Sequence, residues 1–198
     1  NRFMANLFQK LEFEAFRAGI TPRTKESIAW FRRKAGAMSS LTGKKVMNME
    51  PIELQNRQVI GSMFMFFYDP KTKDKLPYYD TFPLSVIVSR APGGFYGLNL
   101  HYLAPTLRAK FLDGLLDITN NKAFDETTKF QARYNILQKT SKLRFYKPCF
   151  KHYLSKNVRS RFAYVPPPEW EIATFLPLAN FEKAGQRQVY KDSKNMVA

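Results

Sequence analysis

The chain has 198 residues, 44% of them hydrophobic, and carries a net charge of +16 at pH 7. That composition excludes a disordered chain, and no apolar run reaches the roughly 20 residues a membrane span needs. A single cysteine, Cys149, excludes an internal disulfide and fits a reducing compartment. No secretory signal is visible; the chain opens at Asn1, so a short leading segment is expected before it. Eighteen Phe and ten Tyr suit a large core or a permanent interface.

The charge is uneven. Residues 1–50 hold ten Lys and Arg against four Asp and Glu, residues 51–105 five against four, residues 106–165 thirteen against four, and residues 166–198 four against four. The excess flanks a nearly neutral centre, and an excess of this size points to an anionic partner, nucleic acid or an acidic protein surface.

In chain order, residues 1–18 read as a helix with Met4, Leu7, Phe8, Leu11 and Ala15 on one stripe. Gly19 ends it, and Phe3, Phe13 and Phe16 lie outside the stripe. Thr24 is the N-cap of a second helix to about Ala37, with Ile28, Phe31 and Ala35 inward. Arg32-Arg33-Lys34 sits near its C-terminus, where cations suit the helix dipole as well as they would suit a phosphate. Met38 to Lys45 reads as a flexible basic connector.

The centre of the chain is a β block. Met63 to Tyr68 form an apolar run suited to a strand buried on both faces. Asp69-Pro70 breaks it, and a lysine-bearing loop runs to about Tyr79. Strands are expected at 60–68, 82–90 and 95–103, the last two joined through Ala91-Pro92-Gly93-Gly94. In the third, Tyr96, Leu98, Leu100 and Tyr102 alternate with Gly97, Asn99 and His101. Ala104-Pro105 then opens a helix to about Thr119 with Leu107, Phe111, Leu112, Leu115 and Leu116 as its apolar face. Asp125 caps a further helix to about Lys139, with Phe130, Tyr134 and Leu137 inward. Pro148 reads as the first residue of a short helix through Lys156. Pro168 starts a turn bearing Trp170 and Phe175, and the polar tail is expected to be ordered only by a neighbour.

From Thr127 to Pro168 there is no Asp or Glu, and aromatic residues interleave the basic ones. Lys139, Lys142, Arg144, Lys147, Lys151, Lys156, Arg159 and Arg161 are the candidate contacts to nucleic acid or another anionic partner. Rings such as Phe150, Tyr153, Phe162 and Tyr164 are expected in the core more than against bases. No metal site is expected: Cys149 and His152 make half a ligand set, and His101 is the only other histidine. Asp69, Asp74 and Asp80 around Lys71, Lys73 and Lys75 are the residues a small metal-dependent nuclease would use, but a mixed-charge hairpin end explains them more simply. His101 with Asn99 is a weak general-base candidate. No catalytic residue and no cofactor is assigned.

Three runs carry a resemblance: YDPKTKDKLPYYDTFPL with GGFYGLNLHYL, then KPCFKHYLSKNVRSRF, then VYKDS. From about Ser27 to Ser193 the chain resembles small basic proteins of large contractile-tailed bacteriophages. The resemblance implies a virion or DNA-packaging component, made in the host cytoplasm, with other phage structural proteins as partners and double-stranded DNA as a further one. It brings no catalytic motif.

The expected fold is α+β: a small antiparallel sheet or partly closed β-barrel over about 46–103, flanked by helices. Residues 1–45 would form a helical arm, 46–182 the core domain and 183–198 a tail. The first functional expectation is a non-enzymatic particle component of the neck, tail or baseplate, held in an oligomeric assembly with no membrane contact. Phe3, Phe13, Phe16, Val189 and Tyr190 would make its assembly contacts. The alternative is a sequence-independent DNA-binding protein that protects or positions the packaged DNA end.

Overall fold

The computed structural model describes residues 7–38, 40–49, 52–120 and 144–197. Six strands form an open antiparallel sheet in the order β1-β7-β2-β4-β5-β6. They are β1 (Leu54–Gln55), β2 (Met63–Met65), β4 (Leu84–Ala91), β5 (Gly94–Asn99), β6 (Phe150–Leu154) and β7 (Phe162–Val165). A separate pair joins β3 (Tyr79–Asp80) to β8 (Phe181–Glu182). The helices are α1 (Leu7–Arg17), α2 (Lys25–Gly36), α3 (Gly43–Met47), α4 (Pro105–Asn120), α5 (Trp170–Phe175) and α6 (Gln186–Val197). The architecture is α+β; β1 and β6 do not meet, so the sheet is not a barrel.

The run from Met63 to Phe66 is fully buried, as a strand apolar on both sides requires. Met63 and Met65 face a core shared with the helices, which includes Leu84, Val86, Leu98, Val165 and Trp170. Phe64 and Phe66 face the opposite side, with Ile87, Phe95, Tyr153 and Phe162. There the rings meet edge-on or tilted, Phe66 against Tyr153 at 5.3 Å and against Phe162 at 5.0 Å, an arrangement the ring quadrupoles favour.

The sheet extends well beyond 46–103, because the acid-free stretch supplies two of its strands. Pro148 does not start a helix. It lies inside the 3-10 turn Arg144–Cys149, and β6 follows directly. β7 sits between β1 and β2. The third strand stops at Asn99: Leu100–Tyr102 is a 3-10 turn whose His101 amide donates to the Asn99 side chain. His101 and Tyr102 therefore leave the strand alternation. The β4–β5 connection is tighter than the sequence suggests, since Ala91 pairs with Gly94. Pro92 and Gly93 alone make the turn, with Gly93 at φ +71.

Thr24 caps α2 as expected, in a box with Ser27. The stretch expected as a flexible connector instead runs into a helix: Thr42 caps α3, and Val46, just past Lys45, is buried. Phe8, Leu11 and Ala15 of α1 join the core that also holds Val46, Trp170 and Val189, so one apolar cluster runs from residue 8 to residue 189. The tail is ordered by its own chain: α6 buries Val189 and Ser193 against the molecule. The helix expected at 125–139 lies outside the described residues.

Gly94 opens β5 opposite Leu154, and a Cβ there would collide with the Tyr153 carbonyl. Gly94→Ala should therefore split β6 from β5 and cost about 1–3 kcal/mol, read as a lower urea midpoint. An unchanged midpoint would show that this edge carries little of the fold.

Candidate nucleic-acid interface

A groove of about 820 Å³ opens on the sheet face that carries the aromatic cluster. Phe95, Phe162 and Ile87 line it, together with the segment Asn56–Ile60. Arg57 from that segment and Arg90 from the end of β4 bring cations to it, and neither has a carboxylate partner among the described residues. Ser155, Val158 and Ser160 form a further wall. The same 155–161 connection carries Lys156, Arg159 and Arg161, all exposed. Arg159 is steered by the Lys156 carbonyl at 2.7 Å and lies 3.9 Å from Asp69. Cations over an apolar floor, with hydroxyls and side-chain amides between them, suit a phosphate backbone.

The other predicted contacts fall in several places. Lys147 is exposed before β6. Arg144 opens the 3-10 turn Arg144–Cys149. Lys139 and Lys142 lie outside the described residues, as does Phe3. Lys151 is only half exposed, its ammonium 3.8 Å above the Tyr102 ring. Of the assembly candidates, Phe13 and Phe16 are 61% and 79% exposed. Val189 is fully buried in the chain's own core, and the Tyr190 hydroxyl accepts from Arg108 at 2.8 Å. Tyr153 and Phe162 are buried, while Phe150 is 36% exposed and stacks on Tyr96 at 5.0 Å.

The loop carboxylates separate. Asp69 accepts from Lys73 at 2.9 Å on the surface. Asp80 is buried and accepts four hydrogen bonds, from His101 Nδ1 (2.8 Å), Asn99 Nδ2 (2.9 Å) and the amides of Phe82 (3.0 Å) and Asn180 (3.1 Å). Burial opposes its ionisation, but His101, Asn99 and the Phe82 amide outweigh that and hold it below the ordinary carboxylate value. Burial lowers His101 more than Asp80 raises it, so the imidazole is neutral. Its Nδ1 carries the proton, and Nε2 is buried without a partner among the described residues. The pair is too enclosed to serve a substrate. Among the described residues no three His, Cys, Asp or Glu side chains gather as a metal site.

Beside this pair, Arg108 is buried and donates to the carbonyls of Leu103 (2.7 Å), Thr174 (2.6 Å) and His101 (3.2 Å). Sequence reasoning missed Arg57, Arg90 and Arg108. The first two lie in the stretch whose charge nearly cancels, and Arg108 reads as one more cation on the outside of a helix. Only the apolar run preceding Arg90 and the three buried neighbours around Arg108 hint otherwise.

Residues 4–196 match the family model described as phage T4 terminal DNA protecting protein. The chain belongs to that family. No curated protein and no solved structure matches it. The family description ties the chain to phage and to DNA ends, so it favours the DNA-end alternative over a neck, tail or baseplate component. No helix among the described residues is long and apolar enough to cross a membrane.

The buried pair makes stability depend on pH. Below about pH 6.5 the unfolded chain takes up a proton that the folded His101 refuses, so stability falls with acidification by up to about 1.4 kcal/mol per pH unit. Glu169 runs the other way. Burial, with Glu12 nearby, lifts it to about 7, so the folded chain holds a proton the unfolded chain has lost and gains stability as pH falls toward about 4.5. Single variants separate the two. Against wild type in urea, the penalty of His101→Gln should shrink from pH 7.5 to pH 5, whereas Glu169→Gln should stabilise at pH 8 and be neutral at pH 5. A pH-independent His101→Gln penalty would mean that His101 titrates normally.

Proposed function

We propose that this protein binds the ends of duplex DNA without regard to base sequence and shields them by occupancy, without chemistry on the DNA. The family match over residues 4–196 is the observation that carries this reading. The groove supports it, because Arg57 and Arg90 line its opening and Lys156, Arg159 and Arg161 stand exposed on the 155–161 connection that supplies one of its walls. Lys139, Lys142, Arg144 and Lys147 extend the basic stretch along the chain. Phosphate contacts fix position and carry no base information, which suits a protein that must accept any terminal sequence.

Five phosphate contacts around the groove predict a log–log salt slope of about −4.5. Arg57→Ala with Arg90→Ala should flatten that slope by about 2. Linear duplex should compete far better than a closed circle of equal mass. A slope near zero, or equal competition by circle and line, would remove the reading.

A second reading, docking into the particle, rests on Phe13 and Phe16, which stand out of α1 into solvent while its other side lies in the core. Removing residues 1–18 is not a clean test, since Phe8, Leu11 and Ala15 are core and their loss should unfold the protein. Phe13→Ser with Phe16→Ser should leave the melting temperature unchanged and abolish incorporation into particles. Normal incorporation of that variant would sink the docking role.

A further inference from the structure

The loop 70–79 overhangs a second cavity, of about 300 Å³, on the same sheet face as the groove. Register places it there: Lys151 lies opposite Gly97, and Tyr153 opposite Phe95 of the aromatic cluster. Its size is at the low end for a ligand cleft, enough for one small anion or a chain end and too small for a duplex.

Its walls offer donors. The Tyr68 hydroxyl oxygen accepts from the Leu154 amide at 2.8 Å. The Tyr153 oxygen accepts from Ser85 at 3.2 Å. Tyr102 lines the same space. Tyr68 thus keeps its own O–H to give, and the Tyr153–Ser85 bond can run either way because each hydroxyl both donates and accepts. Burial raises all three phenols, keeping them protonated. The Lys151 ammonium also faces this space, resting on Tyr102 with no hydrogen bond and no ion-pair partner within 4 Å among the described residues. Lys71 stands at the rim, exposed.

Among the described residues the local charges do not balance. Asp80 supplies one negative charge, and all its hydrogen-bonding capacity is committed elsewhere. Arg108 and Lys151 supply two positive charges. Cys149 is no counterion, because burial pushes its thiol up to about 12. An uncompensated cation in a partly enclosed site is costly unless an anion joins it.

We infer that this cavity binds a phosphate monoester, with Lys151 as counter-charge and the hydroxyls of Tyr68, Tyr102 and Tyr153 as donors. This rests on the DNA-end reading for its source: the 5′-terminal phosphate of a DNA strand, a group that exists only at an end. A terminal monoester carries more charge than an internal diester, so a charge-assisted site discriminates end from interior where the groove contacts cannot.

Two arms test it on the wild-type chain. Inorganic phosphate should raise the melting temperature above that in chloride of equal ionic strength. Blunt duplex with a 5′ phosphate should bind about tenfold tighter than the same duplex with a 5′ hydroxyl, the factor for one such bond gained. Lys151→Met keeps an unbranched chain over Tyr102 and should erase both effects while near-ultraviolet dichroism stays native. No effect in either arm overturns the inference outright. A phosphate shift without discrimination between the two duplexes keeps the monoester site and overturns the DNA terminus as its source. Equal competition by circular DNA fails the DNA-end reading by itself, and the phosphate arm still judges the cavity.

Discussion

A buried guanidinium, paired with no carboxylate among the described residues, holds the helical layer to the sheet. Arg108 spends its N–H groups on the carbonyl of His101 in the 3-10 turn, on Leu103 before α4, on Thr174 near the end of α5 and on the Tyr190 hydroxyl of α6. Carbonyls at a helix end have no partner in the helix and bear partial negative charge. The charge is therefore spread over dipoles that themselves need donors. A lysine would bring three donors from one point and could not reach four segments.

Asp80 does the complementary work one layer away. It joins the small β3–β8 pair to the end of β5 through Asn99, His101 and the Asn180 amide. With Arg108 it gives the fold one polar seam between two apolar clusters. Because the seam fills every hydrogen-bonding position of its carboxylate, that carboxylate makes no ion pair with the nearby Lys151, which has no other carboxylate partner among the described residues. The aromatic face thus carries two basic features of different character: an open groove bounded by arginines and a small enclosed cavity lined by phenols.

Much of this was legible in the sequence wherever local rules and packing agree. The Met63–Phe66 run declares a strand buried on both sides, Thr24 and Ser27 spell a helix start, and the Leu107–Leu112 pattern declares an inward helix face. Elsewhere the local signal misleads. Pro148 looks like a helix start, yet it sits in a 3-10 turn that feeds a strand, and Lys151 and His152 break the alternation that would betray β6. Strands of two residues, such as β1 and β3, have no periodicity to read. Asp80 and His101 are 21 positions apart, and nothing in their spacing announces that one will order the other. Arg57 and Arg90 were hidden by counting charge along the chain instead of across a surface.

The position of β7 between β1 and β2 sets how this molecule can be made. Residues 54–65 supply two strands that never touch one another; the piece that joins them is translated about a hundred residues later. Until it has left the ribosome, one edge of β2 is bare and Phe64 and Phe66 lack Phe162. The chain cannot fold in instalments from its N-terminus, and long-range pairing of this kind is slow and prone to wrong partners. A nascent chain of this protein therefore has to remain unfinished, and in need of protection, until residues 162–165 have emerged.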